Sequence, residues 1–449
     1  MRDRFPWAIT LAYAALFTLL GAIRYNAHRN LVDFGIFAQT LASAFSCFCN
    51  PIEGSHWAFH FSPILYVAGA VVTVWHSPYA LVAMQSVGCA LTIPPIYALV
   101  VGRAGKTTAR WCAVVVALYP ALAGLAFVDF HENAFAPAAV AWMLWAFDSG
   151  RVALAALFAL IAIGIKEDQA IFVGITAAAG AWRFRRTWPG RVALGVAIVA
   201  FITVYVFFRE IQPHHVANPQ WSPERFYAWS ARDVRALFPL GLLQRLGFLL
   251  FVLVPLAFLP LRSRFMWLAV PPLAEVLLSR MSTTFTLGTH YAGAWIGYVL
   301  VAFAFAVRKL PAERATRWVW ACTALCALQL LVADPLHPGL NLRAPQARDA
   351  QLDAVLKALP KNVSIATQEE AYTHLALDDP NARLLPEDPS VREDACYVLV
   401  DRDFPDSPRL QEYGAALNDL VTEHAYVPVN KTGGIDLYRS SKACNAGAT

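Results

Sequence analysis

The sequence predicts an all-α polytopic membrane protein of about 11 transmembrane helices with added interfacial helices, followed by a small C-terminal α/β domain. Of the 449 residues, 58% are hydrophobic and only 15% are charged, which is too apolar for an ordinary soluble protein. Apolar runs of spanning length recur from residue 7 to residue 333 and then stop. The residues that follow are mixed in polarity. We therefore predict a membrane domain over 1–338 and a soluble domain over 339–449.

The apolar runs set the order of the predicted spans. The run at 64–75, ILYVAGAVVTVW, is short and lies between prolines, so we predict an interfacial or re-entrant helix there, inside a first extracytoplasmic loop at 24–79. Counting it as a span would place every later basic cluster on the wrong side. The predicted spans are 6–23, 80–101, 111–128, 134–147, 152–165, 170–182, 192–208, 239–260, 265–279, 291–307 and 318–333.

Basic residues predict the orientation. The formal net charge is +5, but Lys and Arg form short clusters between the apolar runs instead of one basic face, so we expect no nucleic-acid partner. Such clusters stay in the cytoplasm, which places 103–110, 183–191 and 308–317 inside. The loops at 24–62 and 209–238 and the C-terminal domain then lie outside. The predicted location is the plasma (inner) membrane, with multiple passes.

The tail shows the patterns of a small α/β domain. Residues 345–359 carry apolar residues at helical spacing, and the strand-like VSIAT at 363–367 follows them. After a short helix come a strand at 396–401, a helix near 408–421, and the strand-like segments AYVPV and GIDLYR.

Eight cysteines are present, and their spacing is not that of a zinc site. Cys396 and Cys444 are able to pair if the C-terminal domain is extracytoplasmic. Cys47 and Cys49 are expected to be too close in sequence for an unstrained disulfide. The four cysteines inside apolar runs are interpreted as small buried hydrophobic residues.

The first loop contains Asp33, the strongest candidate for a catalytic acid or base. In NLVDFGIFAQTLASAF the apolar residues recur at helical spacing, while Asp33 and Gln39 fall outside that stripe. The pattern predicts an interfacial amphipathic helix. Asp33 is then either a general base at the membrane surface or a helix N-cap, and the sequence leaves both roles open.

Ionisable residues collect at the predicted extracytoplasmic ends of the spans. Such groups are costly at a bilayer and are functional by default, although a structural role for any one of them stays open. Besides Asp33 and His56, the candidate substrate-binding residues are His60, Asp129, His131, Glu132, Lys166, Glu167, Asp168, Arg280 and His290.

Two short motifs in this set permit more than one role. The Asp129–Glu132 turn offers carboxylates and imidazole for a metal, a proton relay or substrate orientation, and its spacing selects none of them. Lys166 lies beside Glu167 and Asp168. It is either neutralised there or, if its charge is free, suited to a phosphate.

The motifs NLVDFGIFAQTL, HFSPILY, VDFHENAFAP, IKEDQAIFVG and GTHYAGAW, in this order, resemble the polytopic membrane family catalogued as domain of unknown function 2079. The tail resembles it too, through NVSIATQEEAYTHLALD and CYVLVD. That family is in turn similar in layout to the GT-C superfamily of membrane glycosyltransferases. The resemblance implies a GT-C-like fold for the membrane domain at 1–338.

GT-C enzymes carry a catalytic Asp in the first extracytoplasmic loop, which Asp33 matches, and then a proline-started apolar helix, which SPILY at 62–66 matches. They transfer sugars with inversion from polyprenyl-phosphate donors. No Asp-x-Asp or Glu-x-Asp pair occurs near Asp33. The metal sites of some members are therefore not carried over, and a divalent metal cofactor stays an open question.

The resemblance thus implies a membrane glycosyltransferase that uses a polyprenyl-phosphate-linked donor, membrane lipid and an acceptor of unknown identity, with Asp33 as general base. Lys166 with Arg280 or His290 is expected to balance charge on the phosphate. A transporter or lipid flippase using the same ionisable residues is the alternative, and inverted repeats that favour it are not evident. A non-catalytic membrane scaffold is a third possibility.

Overall fold

A computed structural model of the chain describes residues 3–216, 241–333, 336, 342–361, 363–385, 394–404, 407, 417, 426–440, 442 and 444. Most of the predicted loop at 209–238 and of the predicted helix near 408–421 lies outside these residues. The chain divides into two compact units. Unit 1 comprises Met1–Leu19, Trp57–Val67 and Val82–Pro338, and unit 2 comprises Leu20–His56, Ala68–Leu81 and Gly339–Thr449.

Most of the described helices overlap the predicted apolar runs, but the run at 80–101 is broken between two helices. The described helices are α1 Phe5–Asn26, α2 Val32–Ala42, α3 Ile64–Val74, α4 Pro78–Ala90, α5 Ile93–Leu118, α6 Pro120–Phe127, α7 Ala136–Asp148, α8 Val152–Ile163, α9 Glu167–Arg183, α10 Trp188–Val206, α11 Gln212–His215, α12 Leu242–Leu253, α13 Val270–Leu278, α14 Gly293–Val307, α15 Ala312–Val332, α16 Ala347–Ala358 and α17 Glu369–Leu375. The strands are β1 Cys49–Asn50, β2 Gly54–Ser55, β3 Ile365–Thr367, β4 Ala382–Leu384, β5 Tyr397–Asp401, β6 Val427–Thr432 and β7 Ile435–Arg439.

Helix length separates the predicted spans into two groups. In the described part of the chain, five helical stretches are long and apolar enough to cross a membrane: Phe5–Asn26, Pro78–Leu118, Trp188–His215, His290–Val307 and Ala312–Val332. Other predicted spans form shorter helices, such as α7 with 13 residues and α8 with 12. At 1.5 Å per residue these fall short of a hydrocarbon core of roughly 30 Å.

Two details bear on the predicted topology. Helix α3 has 11 residues and is therefore too short to cross the bilayer alone, in agreement with an interfacial or re-entrant segment. Helix α5 runs through the residues predicted to form a cytoplasmic loop at 103–110. It is interrupted at Gly105, whose φ of +84° is accessible to glycine without strain, so two helical segments meet there.

Helix α14 forms the centre of unit 1, and every one of its residues is buried. Two glycines four residues apart let it approach its neighbours closely. A Cβ on Gly293 would lie 2.3 Å from the Asn133 carbonyl oxygen, and a Cβ on Gly297 would lie 2.9 Å from the Pro137 carbonyl oxygen. This contact brings the start of α14 against the turn that precedes α7.

The tail contributes a five-stranded mixed sheet to unit 2, with strand order β4-β3-β5-β7-β6. Strand β3 is parallel to β4 and β5, while β7 is antiparallel to β5 and β6. Alternate residues of β5 face opposite sides: Val398 and Val400 pack in one apolar cluster, and Leu399 packs with Leu352 of α16 in the other. Strands β3, β5, β6 and β7 lie where the tail patterns predicted them, whereas β4 was not predicted.

Helix α2 of the first loop also belongs to unit 2, where it packs on α17. Gly35 makes the close approach possible, since a Cβ there would lie 2.3 Å from Cε1 of Tyr372. The Tyr372 hydroxyl donates to Oε1 of Gln39 at 2.6 Å, and Nε2 of Gln39 donates to the Ala382 carbonyl oxygen at 2.8 Å. The sequence grouped this loop with the membrane domain, whereas its helix packs with the tail.

This packing corrects the prediction of an amphipathic interfacial α2. Residues Phe34–Leu41 are all buried, including Gln39, so the helix has no exposed polar face over this stretch. The reason is the protein partner: the polar side chain outside the apolar stripe is satisfied by Tyr372 and by backbone carbonyls instead of water.

Two disulfides are formed, Cys396–Cys444 and Cys47–Cys49. The first confirms the pairing that the sequence allowed. The second pairing shows that the expectation was wrong that Cys47 and Cys49 are too close in sequence to form an unstrained disulfide. Phe48 between them has a φ of +49°, which turns the chain so that the two Cα atoms lie 5.2 Å apart, an ordinary separation for a disulfide. Cys89, Cys112, Cys322 and Cys326 are free and buried, as predicted.

Candidate functional site

The candidate site in unit 1 is built on two turns, the first of which joins α6 to α7. Gln85 of α4 holds this turn in place. Its Nε2 donates to the carbonyl oxygens of Leu125 at 3.0 Å and Asp129 at 3.1 Å, and its Oε1 accepts the His131 N–H at 2.9 Å. A lone amide in an otherwise apolar helix thereby fixes the backbone from which Asp129, His131 and Glu132 project.

The second turn is the start of α9, where Lys166 is the N-cap and Glu167 and Asp168 are the first two helical residues. Glu167 binds the segment before α3 with both carboxylate oxygens. Its Oε1 lies 2.9 Å from Nδ1 of His60, and its Oε2 accepts the Phe61 N–H at 2.9 Å. His60 is thus placed by an acidic residue more than one hundred positions away, and Glu167 is held as an ionised anchor.

The two turns meet in a buried ion pair. Nζ of Lys166 lies 3.2 Å from Oε1 of Glu132, and their side chains are 8% and 0% exposed. Oε2 of Glu132 lies 3.8 Å from Nδ1 of His131, whose ring stacks on His290 with centroids 3.6 Å apart. Lys166 is therefore neutralised by an acidic partner, which is the first of the two roles that the sequence left open.

The electrostatics of this cluster distinguish its carboxylates. Burial opposes ionisation of Glu132, but the nearby Lys166 and His131 outweigh it and hold its pKa well below the usual range. Burial likewise opposes ionisation of Glu167, and His60 lowers its pKa. Burial raises the pKa of Asp168 to about 7 against the opposing effect of Lys166, with Glu167 adding to the rise.

Among the three carboxylates Glu132, Glu167 and Asp168, only Asp168 has a raised pKa, and it is the one closest to neutral pH. A small cavity with room for about one water molecule lies against it. Most of the lining surface is apolar, but five of the seven lining residues carry polar groups that could hydrogen-bond a water molecule there. The lining residues are Asn133, Asp168, Glu275, Val276, Thr284, Tyr291 and Ala294.

Most of the predicted substrate-binding residues of unit 1 therefore come together. His60, His131, Glu132, Lys166, Glu167 and His290 are linked through the contacts above, Asp168 follows Glu167 at the start of α9, and Asp129 is buried in the first turn at 2% exposure. Arg280 is exposed and lies two residues after the end of α13. Sequence reasoning missed Gln85, Asn133 and Tyr291. Gln85 was detectable as a single amide within an apolar run.

Asp33 lies in unit 2, as the second residue of α2, and is partly exposed. The N-cap of this helix is Leu31, and no side chain caps it. The N-cap role proposed for Asp33 is therefore wrong, because the helix begins one residue before it. A carboxylate in the first turn is still favoured by the helix dipole.

Comparison with solved structures identifies the fold. ArnT from Cupriavidus metallidurans bound to undecaprenyl phosphate matches with a TM-score of 0.52 at 11% identity, covering 95% of this chain and 97% of that chain. The same protein in the apo state matches with a TM-score of 0.50 at 12% identity, covering 95% and 98%. At this identity the likeness establishes the fold alone, and it is the GT-C type that the sequence motifs led us to expect.

A lower-scoring likeness is to the oligosaccharyltransferase of Archaeoglobus fulgidus in the apo form, with a TM-score of 0.45 at 12% identity, covering 98% of this chain and 75% of that chain. No curated protein matches the chain in sequence. The family model described as a predicted membrane protein, DUF2079, matches residues 28–437. Since this match includes both turns of the site and nearly all of the tail, the chain belongs to the DUF2079 family of predicted membrane proteins.

Proposed function

We propose that the protein is a membrane glycosyltransferase that transfers a sugar, with inversion, from a polyprenyl-phosphate-linked donor to an extracytoplasmic acceptor. One observation carries the proposal: the fold is shared over 95% of this chain with a structure that binds undecaprenyl phosphate. The buried ionisable cluster of unit 1 adds support, because ionisable groups this costly to bury are retained where they serve binding or chemistry.

In the proposed reaction Asp33 is the general base. Its carboxylate takes the proton of the acceptor hydroxyl while the acceptor oxygen attacks the anomeric carbon. The bond from that carbon to the phosphate oxygen breaks, and the electron pair leaves with the polyprenyl phosphate. Attack opposite to the leaving group inverts the anomeric configuration. The partial exposure of Asp33 suits a residue that must meet an incoming acceptor.

The remaining candidates receive proposed roles that agree with their contacts. Lys166 is paired with Glu132, so we assign it to holding the two turns together. The charge on the departing phosphate is then balanced by Arg280 and His290. Asp129, His131 and Glu132 orient the acceptor or supply ligands to a divalent ion, which is a suitable role for carboxylate and imidazole groups.

The test is transfer of labelled sugar from a panel of polyprenyl-phosphate donors in membranes that contain the protein. We expect Asp33→Asn to lower the rate by ~10²–10⁴-fold, because it keeps the size of the side chain but removes the base. Asp378→Asn is the matched control. It removes a carboxylate of the same unit that is 76% exposed and is expected to leave transfer unchanged.

Protein level and monodispersity are checked for both variants. Transfer at the normal rate by Asp33→Asn would rule out Asp33 as the base. If the wild type moves labelled lipid across the membrane but transfers no sugar from any donor, the transporter or flippase alternative replaces the proposal.

A further inference from the structure

A cluster of His28, Asp353 and His374 in unit 2 has no part in the proposed reaction. The three side chains come from separate segments: the chain just after α1, helix α16 and helix α17. Their possible ligand atoms all lie within 4.8 Å of one another. Nε2 of His28 is 3.0 Å and Nδ1 of His374 is 3.6 Å from the same carboxylate oxygen, Oδ1 of Asp353.

The opposite ring nitrogens of both histidines are occupied by backbone carbonyls. Nδ1 of His28 lies 3.1 Å from the Glu370 carbonyl oxygen, and Nε2 of His374 lies 2.9 Å from the Tyr25 carbonyl oxygen. A carbonyl oxygen only accepts hydrogen bonds, so each of these nitrogens carries the hydrogen. In a neutral imidazole the other nitrogen then presents a lone pair. Both of these lone-pair nitrogens lie near the same carboxylate oxygen, which is also an acceptor.

Three acceptors around one point favour a cation between them. A single proton satisfies one of the two imidazole contacts and leaves the second lone pair facing the carboxylate, whereas a divalent metal ion satisfies all three. The side chains of His28 and His374 are 0% and 9% exposed, so a protonated ring there would have lost its hydration. Metal-binding histidines characteristically donate their other N–H to a carbonyl or carboxylate, as both rings do here.

The distances between the possible ligand atoms also suit a bound metal ion. A tetrahedral site with bonds of about 2.0–2.1 Å has ligand atoms roughly 3.3 Å apart. The distances of 3.0 and 3.6 Å to Oδ1 of Asp353 lie on either side of that value. The Asp353 side chain is 37% exposed, which leaves a path for the ion and a fourth position for water.

We propose that His28, Asp353 and His374 form a binding site for a divalent transition metal, with Zn²⁺ as the ion that best fits two imidazoles, one carboxylate and a water. The rings stack with centroids 3.6 Å apart and an angle of 15° between them, so the two rings must tilt for both lone pairs to reach one ion. The bound ion joins the end of α1 to α16 and α17 and stabilises unit 2.

The experiment uses the full-length chain in detergent, stripped with a chelator and titrated with Zn²⁺, and then with Co²⁺ as a spectroscopic probe. We expect Asp353→Asn to lower the Zn²⁺ affinity by at least ~10-fold and to abolish the absorption of bound Co²⁺. Asp378→Asn is the control, because it removes the carboxylate of an exposed His–Asp pair in the same unit, His76 and Asp378 at 2.9 Å. It is expected to leave both signals unchanged.

Zn²⁺ is also expected to raise the Tm of the wild type and of Asp378→Asn but not that of Asp353→Asn. If Asp353→Asn is not monodisperse, Asp353→Ala repeats the comparison. Equal Zn²⁺ binding by the wild type and the folded Asp353 variant would overturn the proposal. So would the absence of stoichiometric Zn²⁺ binding by the wild type, which would leave the cluster as a buried ion pair.

Discussion

At the scale of single residues, partners determine the chemistry of the unit 1 cluster. Lys166 looks like a phosphate ligand in the sequence, but its Nζ lies 3.2 Å from Glu132 and its charge is already balanced. Breaking such a buried pair by removing one partner typically costs ~3–5 kcal/mol. Asp168, two residues after Lys166, has the opposite character, because burial shifts its titration into the neutral range.

The raised pKa of Asp168 predicts a pH-dependent stability. Its pKa rises from 3.8 to about 7 in the folded chain, so the folded state binds this proton more tightly than the unfolded state. The resulting stabilisation is complete below about pH 4 and is lost as the pH rises through 7. Asp168→Asn should therefore be more stable than the wild type at pH 8, with the difference shrinking towards pH 5.

Thermal denaturation in detergent from pH 5 to 8 measures the difference in stability between the wild type and Asp168→Asn. Asp378→Asn is the control, because it removes a carboxylate that is 76% exposed to solvent. If the difference in Tm between the wild type and Asp168→Asn stays constant from pH 5 to 8, the raised pKa assigned to Asp168 would be contradicted.

At the scale of elements, close approach between helices places the site. Helix α14 reaches the turn before α7 because Gly293 and Gly297 have no side chain, and this contact positions His290 against His131. In the tail the equivalent role belongs to Gly35, which admits the ring of Tyr372. Neither approach follows from hydrophobic periodicity, since a glycine within an apolar helix is equally compatible with an exposed position.

A pair of glycine substitutions tests this packing. A Cβ at Gly297 would meet backbone atoms of Pro137 at 2.9 and 3.1 Å, so Gly297→Ala should destabilise the protein by about 1–3 kcal/mol through overpacking. Gly195 in α10 has no atom within 4 Å of its Cβ position. Gly195→Ala should therefore be neutral or stabilising by up to ~1 kcal/mol, since alanine is the better helix former. If chemical or thermal denaturation shows that Gly297→Ala and Gly195→Ala change the stability in the same direction, the close contact between Gly297 and Pro137 would be contradicted.

At the scale of the whole molecule, the predicted orientation is compatible with both the basic clusters and the disulfides. Disulfides persist in oxidising compartments, and the structure pairs Cys47 with Cys49 and Cys396 with Cys444. The first pair lies in the loop and the second in the tail that we predict to be extracytoplasmic, while the cluster at 183–191 is predicted to be cytoplasmic. These assignments make one consistent topology.

Cysteine labelling in intact cells tests the topology. Lys361→Cys in the tail should react with a membrane-impermeant maleimide, and Arg186→Cys should react only after permeabilisation. Both positions are exposed, and the four free native cysteines are buried, so the background is low. Labelling of Arg186→Cys in intact cells, or protection of Lys361→Cys there, would reverse the predicted orientation.

The sequence by itself determined most of the elements. Apolar length, proline positions and alternation predicted most of the helices from α1 to α15, including the short α3, and the tail strands β3, β5, β6 and β7, because these signals are local and act through burial of each segment's own residues. It also singled out Asp129, Glu132 and Lys166, since a charge within or beside an apolar run is costly wherever the chain folds.

Only the tertiary structure decided which of these residues are partners. The pairing of Glu132 with Lys166, the burial of Gln39 under Tyr372, and the meeting of His28 with Asp353 and His374 all join residues distant in sequence. Polar contacts of this kind are not periodic, and they depend on side-chain direction after the helices have packed. Whether a lysine is a free cation or a neutralised one, and whether a histidine presents a lone pair or a proton, is a property of those neighbours and not of the residue.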